Sequence, residues 1–164
     1  MKKTPIYIVS TNSDSMLAKL IIILQSLDMK IKTVDISGVN QEPEGIVLLD
    51  CRNLEVDEHG IPLASAEVSR KHQLALINVE KGAVNEYICV QMGIKAAFYT
   101  DIETDQFLKG LRCLVNGEWW FSRKVLSQTL ATLFENMSES LTQTNTVTTP
   151  MTEQLTKREK TIIK

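Results

Sequence analysis

The chain has 164 residues, of which 43% are hydrophobic and 23% charged, and its formal net charge is −2. This length suits one domain with a short appendage, and the composition excludes an intrinsically disordered polymer. No apolar run reaches the roughly 18 residues of a membrane span, and the balance is not basic enough for a surface that binds nucleic acid as a whole.

The cysteines and histidines show no metal-binding or disulfide pattern. Cys51, Cys89 and Cys113 are scattered and odd in number, and the chain contains no C-x-x-C pair. His59 and His72 stand alone in the sequence. We therefore expect reduced thiols, as in a cytosolic protein, and no metal site.

Five short segments predict the strands of a sheet. Apolar runs over 6–9, 46–49, 74–79 and 96–99 are typical of parallel strands that are covered on both faces. The segment 30–35 alternates polar and apolar residues, which is typical of an edge strand.

Helical patterns lie between these strands. They predict a helix over 14–27, capped by Asn12 or Ser13, and further helices over 83–92 and 103–115. The positions predicted to face the core are Leu17, Leu20, Ile21, Leu24, Phe107, Leu108, Leu111 and Leu114. The alternation of strands and helices predicts a right-handed, doubly wound α/β sheet.

Two connections are reduced or irregular. The segment 36–44 is too short for a helical crossover and contains Gly38 and Pro43, so we expect a loop or a single turn. The segment 51–72 predicts an irregular stretch that turns at 60–62 and leads into a short helix.

An additional helix follows the five strand–helix units. Ser122 is a suitable N-cap, and we predict a helix over about 122–137. Its apolar residues fall at steps of four, three and four, which places them on one face. This apolar stripe consists of Leu126, Leu130, Leu133 and Met137.

The C-terminal composition predicts a change of organisation. The segment 138–154 is rich in Ser, Thr, Asn and Gln and predicts a flexible linker. Thr156 and Glu159 form a capping box in 155–164, where a new helix would begin. The predicted domains are therefore a regulatory domain over 1–137, a linker over 138–154 and the truncated start of another domain over 155–164.

Several segments resemble response regulators of the LuxR/FixJ group. GIVLLD, which ends at Asp50, is similar to the third strand of a receiver domain, and the segment 95–118 is similar to the last receiver strand and helix. LTKREKTII resembles the start of a LuxR-type helix-turn-helix domain. Trp120-Phe121-Ser122-Arg123 resembles the W-[FLM]-[ST]-R motif of the VpsT/CsgD subfamily. The resemblance implies a (βα)5 receiver-like fold with an extra C-terminal sixth helix.

The receiver chemistry is incomplete in this sequence. Aspartyl phosphorylation needs a nucleophilic carboxylate and Mg²⁺. The resemblance implies two metal-binding acids after the first strand, a hydroxyl after the fourth and a lysine after the fifth. Here those places hold Ser10-Thr11, Asn78 and Thr100, and Asp14 is a stray carboxylate in the following helix. Asp50 is therefore a vestigial phosphoacceptor, or simply an acid at a strand end that is satisfied by nearby donors.

The W-F-S-R segment suits a guanine nucleotide. Arginine presents a donor fork to the O6 and N7 edge of guanine, and a helix N-terminus binds phosphate. The resemblance implies cyclic di-GMP as the ligand, with Trp120 as an aromatic packing surface, Ser122 on phosphate and Arg123 on guanine. Phe121 belongs to the same motif and would anchor the loop. Without the resemblance, two adjacent tryptophans would simply pin the helix to the body, and we expect Trp119 to be a core residue.

These observations lead to one principal hypothesis and two alternatives. The first is the regulatory domain of a cytoplasmic transcription regulator, which binds cyclic di-GMP, forms a homodimer through the apolar stripe and needs no phosphorylation. DNA would bind only to a longer chain with the complete helix-turn-helix domain, and biofilm genes are typical targets of the subfamily. The alternatives are a receiver switched by phosphorylation of Asp50 and a nucleotide-independent pseudo-receiver that acts as a dimerisation module. We expect no enzyme activity, no cofactor, no metal and no membrane association.

Overall fold

A computed structural model describes residues 3–12 and 14–148, with the backbone alone described over 142–148. Its elements, in chain order, are β1 (Ile6–Val9), α1 (Ser15–Ser26), β2 (Ile31–Val34), β3 (Ile46–Asp50), α2 (Ser65–Ser69), β4 (Gln73–Val79), α3 (Glu86–Gln91), β5 (Ile94–Tyr99), α4 (Thr104–Val115) and α5 (Arg123–Thr148). The chain divides into two compact units, one up to Leu126 and the other from Ser127 onward.

All five strands form one parallel sheet with the order β2-β1-β3-β4-β5. The predicted doubly wound (βα)5 fold is therefore confirmed, and the alternating strand β2 lies at an edge. β1 and β3 are fully buried, because helices cover both faces of the sheet. None of the described helices is long and apolar enough to cross a membrane.

Alternate residues of the strands divide the core into two layers. Ile6 and Ile8 face one layer, which α1 and α4 cover with side chains that include Leu24 and Leu111. Tyr7, Val9 and their neighbours face the other layer. The second layer is covered by residues that include Val39, Ile61, Val68 and Cys89. The predicted inward positions of the first and fourth helices all belong to the first layer or pack against it.

The second crossover is reduced to a single 3₁₀ turn, Val39–Gln41, as predicted. Buried His72 holds this segment in place. Its Nδ1 accepts a hydrogen bond from the Gly45 N–H at 3.2 Å, and its Nε2 lies 2.9 Å from the Val39 carbonyl oxygen. Burial lowers the pKa of His72, so the neutral ring that makes both contacts is favoured.

The boundaries of three helices differ from the prediction. Asp14, not Asn12, caps α1 by accepting a hydrogen bond from the Leu17 N–H at 3.1 Å, and Ser13 lies outside the described residues. α3 begins three residues later than predicted because the Asn85 side chain accepts from the N–H groups of Tyr87 and Ile88. α4 begins at Thr104, directly after Glu103.

The largest difference is at the end of α5. The helix continues to Thr148, so the predicted end at 137 and the predicted flexible linker are wrong over 138–148. Ser, Thr, Asn and Gln cost only tenths of a kcal/mol each in a helix, and the first strong helix breaker in this segment is Pro150. The rest of the predicted linker and the predicted start of a DNA-binding domain over 155–164 lie outside the described residues.

Candidate functional site

The W-F-S-R segment begins beside β5, which is one of the two edge strands of the sheet. After α4 the chain runs alongside edge strand β5, where the Trp120 N–H donates to the Lys95 carbonyl at 2.8 Å. Trp120 forms a single parallel bridge with Ala96. This pairing holds the chain against β5 shortly before α5 begins.

Trp120 and Phe121 point to opposite sides of this edge. Trp120 packs against the core layer under α1 and α4, and Phe121 packs against the other layer. Gly110 of α4 makes room for this packing, because a Cβ there would lie 3.2 Å from Cδ1 of Trp120 and 2.4 Å from Cε1 of Phe98. Both aromatic rings remain half-buried, so they anchor the loop and keep some surface exposed.

The prediction that Trp119 is a core residue is wrong. Trp119 is half-buried and belongs to neither core layer. The Nζ atom of Lys95 lies 4.0 Å from its ring centroid, which is a cation–π contact at the surface.

Ser122 and Arg123 form the exposed start of α5. The Ser122 Oγ accepts a hydrogen bond from the Val125 N–H at 3.2 Å, so Ser122 caps the helix as predicted. Arg123 and Lys124 are exposed in the first turn, which contains no acidic residue. Two cations here oppose the positive end of the helix dipole, at a cost of about 0.3–1 kcal/mol each at exposed sites. This first turn can offer N–H groups, a hydroxyl and two cations to an anion.

A shallow pocket of about 490 Å³ adjoins this first turn. Val125 lines the pocket together with the segment 82–87 before and within α3 and with Glu58 and His59. Asn85 N–H donates to the His59 carbonyl at 2.9 Å, which joins the two loops that form the wall.

The four members of the motif therefore lie together in one corner of the first unit. The structure shows two of them as anchors at the sheet edge and two as exposed polar groups at a helix start.

Asp50 lies at the carboxyl end of β3 and is 1% exposed. Ser10 donates to its Oδ2 at 2.7 Å, and Asn12 donates to the same atom at 3.4 Å. Arg52 donates from its backbone N–H to Oδ1 at 3.1 Å, from Nε to Oδ1 at 3.0 Å and from Nη2 to Oδ2 at 2.6 Å. The interpretation of Asp50 as a strand-end acid satisfied by nearby donors is confirmed.

Arg52 also binds a second carboxylate. Its Nη1 donates to Oδ2 of Asp14, which is the residue that caps α1. Burial alone would raise the pKa of Asp50, but hydrogen bonds from Arg52 and Ser10 outweigh burial and lower it to about 2. The hydrogen bond from Arg52 likewise lowers the pKa of Asp14.

Sequence reasoning missed Arg52. The available signal was its spacing from Asp50, because residues two apart at a strand end lie on the same side of the chain. Its contact with Asp14 had no signal in the sequence.

The Mg²⁺ implied by receiver-like folds does not fit these residues. Mg²⁺ requires oxygen ligands in near-octahedral geometry, and both carboxylates at this edge are bound by Arg52. No cluster of three metal-ligating side chains occurs within 3–12 and 14–141. Asn78 and Thr100 stand where the resemblance implies a switch hydroxyl and a lysine, so these two positions do not supply the groups that phosphoryl transfer would need.

The predicted apolar stripe is largely exposed. Leu126, at the end of the first unit, is half-buried. Within the second unit, Leu130 is 54% exposed, Leu133 44% and Met137 59%. Phe134 and Leu141 extend this exposed surface. Such a continuous apolar surface on one helix is typical of an interaction site.

Comparison with known proteins identifies the fold. No protein-family model and no curated protein matches the chain. Among solved structures, the chain is similar to receiver-type regulatory domains, which agrees with the parallel five-stranded sheet.

One of these is the regulatory domain of the master biofilm regulator CsgD, at 20% identity and a TM-score of 0.55 over 77% of this chain and 98% of that one. Another is the isolated REC domain of RcsB from Salmonella enterica serovar Typhimurium, at 12% identity and a TM-score of 0.55 over 78% and 99%. RcsB bound to promoter DNA matches at 14% identity and a TM-score of 0.51 over 82% and 70%. At these identities the likeness shows the fold alone.

Proposed function

We propose that this chain is the regulatory domain of a transcription regulator that binds cyclic di-GMP at the W-F-S-R segment. In this proposal it dimerises through the apolar stripe of α5 and needs no phosphorylation. The observation that carries the proposal is the exposed first turn of α5, where Ser122, Arg123 and Lys124 present polar and cationic groups beside two anchored aromatic residues.

The ligand chemistry follows from this first turn. A phosphodiester would accept hydrogen bonds from the Ser122 hydroxyl and from free N–H groups at the helix start, assisted by the helix dipole. Arg123 would direct its donor fork to O6 and N7 of a guanine. The exposed part of Trp120 would pack against a base, and Lys124 would add positive charge.

Dimerisation would convert ligand binding into a signal. A C2 dimer formed through Leu130, Leu133 and Met137 would contain two copies of the site. A pair of stacked cyclic di-GMP molecules that contacts both copies would stabilise the dimer by mass action.

The structural likenesses support the regulatory part of the proposal. CsgD is described as a master biofilm regulator, and RcsB was solved on promoter DNA. In this proposal our chain would act in the same kind of role in the cytoplasm.

Isothermal titration of cyclic di-GMP tests the ligand. We expect saturable binding to the wild type and a loss of about 10–100-fold in affinity for Arg123→Ala, because a bidentate contact to guanine contributes about 1–3 kcal/mol. Arg70→Ala is the matched control, since it removes an exposed arginine from the end of α2. Absence of heat with the wild type, or equal affinity in Arg123→Ala, would refute the ligand assignment.

Sedimentation velocity tests the dimer. Leu130→Glu should convert dimers into monomers, because it places a charge in the centre of the exposed stripe. Gln128→Glu adds the same charge two residues earlier, about 200° around the helix, and should leave the dimer intact. A dimer that survives Leu130→Glu would mean that another surface is used.

One alternative function retains support from the structure. The exposed stripe on α5 also fits a nucleotide-independent pseudo-receiver that acts as a dimerisation module. That function predicts the same dissociation by Leu130→Glu but no response of the dimer to cyclic di-GMP. The phosphorylation-dependent alternative is disfavoured, because Arg52 already satisfies the Asp50 carboxylate.

A further inference from the structure

At the carboxyl edge of the sheet, the positive charge beside the carboxylates belongs to a side chain of the protein, Arg52. The Asp50 carboxylate is buried, and the guanidinium of Arg52 donates to both of its oxygens. The same guanidinium binds Asp14, which lies at the start of α1. One side chain thus joins the end of β3 to the start of α1 and neutralises part of the charge of two carboxylates.

Further donors at this edge bind Asp50 and Asn12. Ser10 and Asn12, which follow β1, donate to Oδ2 of Asp50. Asn53 in turn donates to Oδ1 of Asn12 at 3.1 Å, which fixes the orientation of that amide. Asp50 is therefore held in a hydrogen-bonded network, and a cation that binds both carboxylates would have to displace Arg52.

A guanidinium differs from a bound metal ion in one decisive respect. Arginine remains protonated in proteins, and its cation cannot dissociate from the chain. The occupancy of a similar pair of carboxylates by a divalent ion would depend on the concentration of that ion.

We propose that Arg52 is a covalently attached substitute for a divalent cation, and that removing its guanidinium uncovers a Mg²⁺ site between Asp14 and Asp50. The wild-type edge is then insensitive to divalent ions. This inference is separate from the nucleotide site and does not depend on it.

Thermal unfolding of the full chain in a Mg²⁺ titration tests the inference. The wild type should keep its Tm within about 1 °C from zero to millimolar Mg²⁺. Arg52→Ala should lower the Tm by roughly 5–10 °C without metal, because Asp50 loses its buried partner. Saturating Mg²⁺ should restore at least half of that loss. The control Arg70→Ala should behave as the wild type in both conditions.

Two further variants keep the test decisive. Arg52→Gln removes the charge but retains hydrogen-bonding capacity, and it is titrated in the same way if Arg52→Ala does not fold. Asp14→Asn combined with either Arg52 variant should abolish most of the Mg²⁺ response, because one of the two carboxylate ligands is lost.

A Mg²⁺-dependent rise in the wild-type Tm would overturn the inference, and so would the absence of a Mg²⁺ response in both Arg52 variants. Cyclic di-GMP titration of the Arg52 variants separates this result from the proposed function. If Mg²⁺ does not raise the Tm of the Arg52 variants but they bind cyclic di-GMP, only the role of Arg52 is refuted. If Mg²⁺ raises their Tm but neither they nor the wild type bind cyclic di-GMP, only the nucleotide site is refuted.

Discussion

Two polar sites in the first unit differ in whether their charged side chains have partners within the chain. At the carboxyl edge of the sheet, Asp50 and Asp14 share the guanidinium of Arg52 and are satisfied within the chain. At the start of α5, Arg123 and Lys124 are exposed, and the described part of the chain shows no ion pair for either.

This difference indicates where a ligand is expected. Satisfied charges contribute to the fold, because a ligand would first have to break their internal contacts. Cations near the positive end of a helix dipole are unfavourable for the helix, and an external anion offsets that cost. The site at the carboxyl edge of the sheet is thus the closed one, and the site beyond the last strand is the open one.

The largest expected effect tests the packing of Gly110 against Phe98 and Trp120, which anchors the open site at the start of α5. In Gly110→Ala the new Cβ would collide with Phe98, which is fully buried, and would press on Trp120. We expect a loss of about 2 kcal/mol in the free energy of unfolding, after the small gain in helix propensity. Urea denaturation measures it. Gly38→Ala is the matched control, because its Cβ would meet nothing closer than 3.9 Å. Equal stability of the two variants would contradict the described packing.

The next effect tests the closed site through its pH dependence. Asp50 has a pKa of about 2 in the folded chain, below the ordinary 3.8, so its contribution is fully present above about pH 4 and is lost as the pH falls through 2. The contribution is about 2 kcal/mol. Urea denaturation between pH 5 and pH 2 should show a stability difference between the wild type and Asp50→Asn that shrinks over this range. A difference independent of pH would mean that the carboxylate charge does not contribute.

The smallest effect separates two roles of Ser122. Ser122→Ala should cost about 1 kcal/mol through loss of the helix cap and should also weaken nucleotide binding. Ser122→Asp should keep the stability, because aspartate is an equally good cap, but should abolish binding by repelling phosphate. Thermal unfolding and titration of cyclic di-GMP measure the two effects. Strong binding by Ser122→Asp would place the phosphate elsewhere.

Sequence patterns alone determined the strands, the two inward helix faces and the edge position of β2. These features depend on local periodicity, which each segment carries by itself. The composition did not determine the length of α5, because weak helix formers without glycine or proline are compatible with either a linker or a helix. The same local reasoning identified Ser122 as a cap, since capping involves only neighbouring residues.

Only the tertiary structure decided which charges are satisfied. Asp50 and Arg52 come from the end of β3, and Asp14 caps α1, which follows β1. They meet because parallel strands place their carboxyl ends at one edge. The bridge of Trp120 to Ala96 likewise depends on β5 being the free edge of the sheet. The motif Trp120-Phe121-Ser122-Arg123 could be read from the sequence, but its division into two anchors and two exposed polar groups follows from the shape of that edge.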